Sequence, residues 1–170
     1  MTRKITIAVC GPSECGKDEF SVQLAEVAGL TYTKSTSEYA TPDVFQHWGS
    51  WQGYEDEFAC WQDRRNHKDE WANIIDSVIN ADDKAMLYRR CAKEQDILTG
   101  IRRRGQFEAV REAKIVDLWV WVDRPGIAVD PNLEYTKEEC DLIVDNSGTL
   151  TGLYAKATVF GEFIRSMRAA

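Results

Sequence analysis

The stretch Gly11-Pro12-Ser13-Glu14-Cys15-Gly16-Lys17-Asp18 constrains this chain more than any other. The apolar run Ile5-Thr6-Ile7-Ala8-Val9-Cys10 leads into it, and an amphipathic segment over 18–28 leads out, with Phe20, Val22, Leu24, Ala25 and Ala28 as its apolar positions and Gly29 as its stop. Strand, glycine loop and helix in that order is the setting in which a G-x-x-x-x-G-K pattern carries meaning. Glycines let backbone N–H groups curl around phosphate oxygens, the helix presents its positive end, and the lysine reaches the β and γ phosphates. Gly11, Ser13, Glu14, Cys15, Gly16, Lys17, Asp18 and Glu19 are therefore the candidate nucleotide-binding residues, with ATP as the expected ligand. Lys17 is also the first candidate for catalysis.

Asp18 replaces the hydroxyl that usually ligates Mg²⁺ at the end of such a loop. A carboxylate is a hard oxygen ligand and suits that ion, which makes Asp18 the candidate metal ligand; the competing role is a first-turn acid at a helix N-terminus. Cys15, a thiol in an N–H-lined loop beside Lys17, is expected to have a lowered pKa.

With 170 residues, 44% of them hydrophobic, the chain suits one domain with a full core, 1–170. A net charge of -7 argues against holding nucleic acid by bulk electrostatics, although Arg64-Arg65, Arg89-Arg90 and Arg102-Arg103-Arg104 form local basic patches. The five cysteines are odd in number and include no C-x-x-C pair, which points to a reduced, cytoplasmic setting and suggests neither a disulfide framework nor a zinc site. No apolar run reaches membrane-spanning length, so no membrane partner is expected.

Further strands are expected at 30–33, 96–101, 115–122 and 142–144, and helices at 54–80, 82–93, around Phe107 and over 150–167. Strands and helices alternate. The expected fold is an α/β single domain with a roughly five-stranded parallel sheet flanked by helices and the glycine loop after its first strand. Residues 34–38 form a polar loop at the edge of the sheet where ligands bind. In the 54–80 segment, Arg65 and Lys68 interrupt an otherwise apolar stripe. They either snorkel to water or border a cleft that holds phosphate.

Three segments together resemble the deoxynucleoside monophosphate kinases of tailed phages and their relatives among the P-loop nucleotide kinases. They are the loop ending Gly16-Lys17-Asp18, the strand and turn Ile97-Leu98-Thr99-Gly100-Ile101-Arg102, and the stretch from Trp121-Val122-Asp123-Arg124-Pro125-Gly126 to Asn146-Ser147-Gly148-Thr149-Leu150. The resemblance implies that Lys17 binds the phosphates, Arg102 contacts the transferred or acceptor phosphate, Arg124 closes on the donor nucleotide, and Asn146 lies near the base. It leaves 35–93 unmatched, as a variable acceptor region. Gly100 stands where the family has Asp, and Gln106 where it has Glu.

A phosphate acceptor arrives with its nucleophilic oxygen deprotonated, whereas a hydroxyl acceptor benefits from a general base. Glu38 and Asp63 are the carboxylates available for that role. Trp48, Trp51, Trp61 and Trp71 lie in the same unmatched region and suit an extruded or single-stranded base, with packing in the core as the competing role. These features resemble the phage kinases that phosphorylate the hydroxymethyl group of 5-hydroxymethyluracil in DNA. That activity is the preferred expectation, with a deoxynucleoside monophosphate kinase as the alternative and a nucleotide-binding module without chemistry as a third reading.

Overall fold

A computed structural model describes residues 4–169, so the expected 1–170 domain runs past the described residues at both ends. Four parallel strands form one sheet: β1 (Ile7–Cys10), β2 (Ile97–Thr99), β3 (Leu118–Asp123) and β4 (Leu142–Asp145), in the order β2-β1-β3-β4. Ile7 aligns with Ile97 on one side and Leu118 on the other, and Val120 aligns with Leu142.

Side chains alternate across a strand, and here each face of the sheet feeds its own core. Ile7, Val9, Ile97, Val120 and Val122 pack with Phe20, Leu24, Leu153 and Ile164. These last four come from α1 (Lys17–Ala28) and α8 (Leu150–Ala169), which cover that face together. Ala8, Cys10, Leu98, Trp119 and Trp121 point the other way, into a core with Val44, Trp71, Tyr88, Phe107 and Tyr135. That second core is supplied by α2 (Thr36–Tyr39), α3 (Thr41–His47), α4 (Glu57–Gln62), α5 (Lys68–Ile74), α6 (Met86–Glu94) and α7 (Arg104–Glu112). Among the described residues, no helix is long and apolar enough to cross a membrane.

The sheet has four strands rather than five. The 30–33 segment does run beside β2, where the Thr31 carbonyl accepts from the Asp96 N–H at 2.8 Å. Side chains then take over the ladder: the Thr31 N–H donates to the Asp96 carboxylate at 2.9 Å, and the Thr33 N–H donates to Gln95 Oε1 at 3.2 Å. Backbone groups satisfied in this way have no second strand to pair with.

The single helix expected over 54–80 is broken into α4, a 3₁₀ turn at Arg64–Asn66, α5 and a π turn at Ile75–Ile79. Asp56 caps α4 by accepting from the Ala59 N–H at 2.8 Å. At the next break, the Asp63 carboxylate accepts from Tyr54 Oη at 2.6 Å and from Asn66 Nδ2 at 2.5 Å. Short polar side chains that bond locally offer the chain an alternative to the helix. The polar loop at 34–38 is partly helical for a related reason: Ser35 Oγ accepts from the Glu38 N–H at 3.3 Å and caps α2.

Val22, expected on the packed face of α1, is instead 58% exposed, while Ser21 is buried. The helix faces α8 so closely that a Cβ on Gly161 would come within 2.8 Å of Val27 Cβ. Gly161→Ala is therefore expected to lower stability by about 1–3 kcal/mol through overpacking. A urea midpoint equal to that of the parent would contradict the close approach.

Cys15 corrects an expectation. Its side chain lies wholly within the α1 and α8 core, and burial raises the thiol pKa despite the opposing pull of Lys17. Cys140 alone is not buried, and its pKa is lowered, first by a hydrogen bond with Cys10 and then by Arg111. Alkylation of the folded chain should label Cys140 first, below the pH range of an ordinary thiol, and Cys15 only after unfolding. Peptide mapping that found Cys15 labelled first would overturn this order.

Candidate active site

The loop between β1 and α1 takes its shape from two positions that only glycine fills. Gly11 has φ +137° and Gly16 has φ +93°. A Cβ on Gly11 would lie 2.7 Å from both Cys15 Sγ and the Val122 carbonyl, and one on Gly16 would lie 2.7 Å from Asn146 Nδ2. Such contacts exclude any side chain. Asn146, just past the end of β4, is buried and donates from Nδ2 to the Cys15 carbonyl at 2.8 Å. The closing stretch of the sequence thus pins the loop from the side.

No side chain caps the N-terminus of α1. Its first-turn N–H groups therefore remain for a ligand, with the positive end of the helix behind them. Lys17 Nζ donates to the Pro12 carbonyl at 3.1 Å across the loop. The loop and the start of α1 form one wall of a cleft of about 620 Å³, to which Ser13, Glu14, Gly16, Lys17, Asp18 and Glu19 all contribute. Gly11 and Cys15 shape the loop from behind and do not line the cleft. Asp18 Oδ1 accepts from Tyr32 Oη at 3.3 Å, and the same hydroxyl lies 3.3 Å from Thr99 Oγ1. Together, Asp18 and Thr99 supply hard oxygen donors where β2 ends beside the loop, a set that fits Mg²⁺ shared with phosphate oxygens.

Arg124 and Asn146 join the cleft at the α8 side, and among the described residues Arg124 makes no hydrogen bond or ion pair. Arg102 enters from beyond β2. Its guanidinium pairs with Asp130 and lies 3.4 Å from Ser13 Oγ, while Ser13 Oγ donates to Asp130 Oδ2 at 3.2 Å. Burial pushes the Asp130 carboxyl up, but the Arg102 charge and hydrogen bonds from Asn132 and Ser13 outweigh it and hold the pKa below its usual value. Asp130 belongs to the stretch that carries the family resemblance, but nothing in the sequence assigned it a role at the site, since 28 residues separate it from Arg102.

Arg103 and Arg104 differ from Arg102. Arg103 pairs with Glu134 at 3.0 Å, and Arg104 makes a two-pronged contact with Glu139 at 2.5 and 3.0 Å. The Arg104 hydrogen bonds pull the Glu139 carboxyl down to about 2. These two arginines fasten α7 to the 134–139 segment, which leaves little of their charge for DNA phosphates.

The two base candidates do not converge. Asp63 lies outside the cleft, bound to Tyr54 and Asn66, whose hydrogen bonds hold its carboxyl below the usual range. Glu38 lines a shallow neighbouring groove with Lys34, Phe58 and Trp61, yet its charge still acts on Tyr32 and Arg64. Of the four tryptophans, only Trp71 lines the main cleft; Trp51 is 84% exposed, and Trp48 packs on His67 and Tyr54.

The far wall comes from the unmatched region and carries Arg64, Arg65 and Lys68. Among the described residues, seven cationic side chains line the cleft against three carboxylates, and all three carboxylates sit on the loop or in the first turn of α1. An acidic chain thus encloses a basic cleft. The pair Arg65 and Lys68, which interrupted the apolar stripe in the sequence, was the visible sign of that wall.

No family model matches the chain, and no curated protein matches it. Among solved structures, the chain is similar to one described as an unliganded sugar kinase from a Janibacter species, with 14% identity and a TM-score of 0.51 over 96% of this chain and 98% of that one. At that identity the likeness shows a shared fold.

Proposed function

We propose that the chain is an ATP-dependent phosphotransferase acting on a deoxynucleotide-class acceptor. The observation that carries this reading is the two-walled cleft: a glycine loop with Lys17, Asp18 and an uncapped helix end on one side, and a wall of unpaired cations on the other. Phosphoryl transfer needs little covalent chemistry from a protein. It needs two anionic partners held in line and their charge neutralised. Lys17 and the α1 N-terminus serve the β and γ phosphates, Arg124 closes on the donor, and Asn146 keeps the loop in shape. Asp18 would hold Mg²⁺, which when bound neutralises charge between the transferring and leaving oxygens. Arg102 is released to phosphate when a ligand displaces Asp130. The shared fold with a structure described as a sugar kinase is consistent with this class of chemistry, and five free cysteines suit a cytoplasmic setting, that of the host if the chain is phage-encoded.

Two acceptors remain in view. A deoxynucleoside monophosphate is favoured by the far wall, which bears cations and no carboxylate, because a phosphate acceptor needs charge neutralisation and no base. The hydroxymethyl group of 5-hydroxymethyluracil in DNA is supported by Glu38, whose charge reaches the cleft from the adjoining groove. Commitment of Asp63, Arg103 and Arg104 to protein contacts weakens that second reading, and the monophosphate acceptor is the conclusion.

Labelled γ-phosphate transfer to a panel of deoxynucleoside monophosphates and to 5-hydroxymethyluracil DNA tests this. Label is expected in a monophosphate, and Lys17→Ala should cut the rate on the order of 10³-fold or more. Label entering only the DNA, with a rate that falls in Glu38→Gln, would establish the other acceptor. ATP binding without transfer to either would leave a nucleotide-binding module.

A further inference from the structure

The far wall of the cleft holds two buried donors that have nothing to donate to. Arg64 lies with its guanidinium 4.3 Å over the Trp61 ring, and its Nε is buried without a hydrogen-bond partner. Trp71, 2% exposed, packs edge-on to Trp61 at 5.8 Å between ring centres, and its Nε1 is likewise buried and unpartnered. Both residues line the cleft. Asn80, Trp121 and Arg168 also carry buried donors without partners, but among the described residues only Arg64 and Trp71 combine such a donor with a place in the cleft lining, where an acceptor can arrive from outside.

The charge at this wall has the same character. Arg64, Arg65 and Lys68 make no ion pair among the described residues, whereas Arg89, Arg90, Arg102, Arg103 and Arg104 each do. Burial, followed by the charges of Arg102 and Arg65, lowers the Arg64 pKa, so the folded chain holds this cation at a cost. The 3₁₀ turn at Arg64–Asn66 presents the arginine pair, and α5 begins directly after it with Lys68 and Trp71 one turn apart. The break caused by Asp63 is what turns Arg64 and Arg65 toward the cleft rather than along a helix.

We propose that Arg64 and Trp71, backed by Arg65 and Lys68, form the socket for a phosphate monoester on the acceptor. This rests on the phosphotransferase reading of the same cleft and deepens it. A dianionic phosphate supplies acceptor oxygens for Arg64 Nε and Trp71 Nε1 and offsets the repulsion among Arg64, Arg65 and Arg102. A neutral nucleoside satisfies neither donor. A phosphodiester carries half the charge and leaves the cations in excess.

Binding without ATP tests the socket separately from catalysis. The Trp71 indole N–H signal in a ¹H–¹⁵N spectrum is assigned by its loss in Trp71→Phe, which keeps a ring in place; the other five indole signals report whether the variant is folded. Inorganic phosphate, a deoxynucleoside 5′-monophosphate, the matching nucleoside and a 5-hydroxymethyluracil oligonucleotide without terminal phosphate are titrated at constant ionic strength. The expected result is a shift of the Trp71 signal with phosphate and with the monophosphate, and with neither nucleoside nor oligonucleotide. Loss of one hydrogen bond to a charged group should weaken monophosphate binding about tenfold in Trp71→Phe. Arg64→Gln should weaken it at least as much, and ATP affinity should hold in both. No Trp71 shift with phosphate, a shift with the oligonucleotide alone, or parent-like monophosphate binding in Arg64→Gln would overturn the proposal. Transfer to monophosphates with an unmoved Trp71 signal would sink the socket and leave the kinase reading intact; a moved signal without any transfer would do the reverse.

Discussion

Alternation across a parallel sheet is the constraint on which the rest of the molecule depends. Ile7 and Val9 face α1 and α8, and Ala8 and Cys10 face the aromatic core on the other side. A one-residue slip in β1 would exchange those two sets and move the glycine loop away from Val122 and Asn146. Since Gly11 and Gly16 already allow no Cβ between the loop and those neighbours, the register of the sheet and the shape of the loop are one problem. Parallel strands also bring the ends of β1, β2 and β4 to the same edge, which is why Lys17, Thr99 and Asn146 meet although they are far apart in the chain.

Charge is sorted on this scaffold in two ways. Around α7, arginines are spent on the structure: Arg103 and Arg104 hold Glu134 and Glu139, and the Glu134 N–H donates to the Arg102 carbonyl at 2.9 Å. Around the start of α5, Arg64, Arg65 and Lys68 have no ion-pair partner among the described residues and line the cleft. Net charge of the chain therefore says little about the sign of its ligand. Local fields inside a concave site, with low-dielectric walls, decide that instead.

The parts of this arrangement legible in the sequence are those written in local pattern. Apolar runs before and after the loop, glycines at Gly11 and Gly16, and the Gly29 stop are enough to place β1, the loop and α1. Strands at 96–101, 115–122 and 142–144 were readable for the same reason. What was hidden depended on side chains that act across the chain. Gln95 and Asp96 replace a strand ladder at 30–33 with side-chain hydrogen bonds, and Asp63 breaks a helix that periodicity alone would continue. Cys15 illustrates a third limit: its neighbours in sequence favour a thiolate, but burial, which no neighbour list reveals, decides the other way. Asp63 looked like a free carboxylate beside two arginines, and its bonds to Tyr54 and Asn66 became visible only in three dimensions.

The central claim is that the 11–18 loop cradles a triphosphate, and amide hydrogen exchange measures it most directly because the reporters are the backbone N–H groups themselves. Addition of ATP with Mg²⁺ should slow exchange across 11–18 and around Arg124 and Asn146, while residues 160–169 at the far end of α8, outside the cleft lining, keep their rate. Unchanged exchange over 11–18 at saturating nucleotide, or protection confined to other segments, would contradict the account.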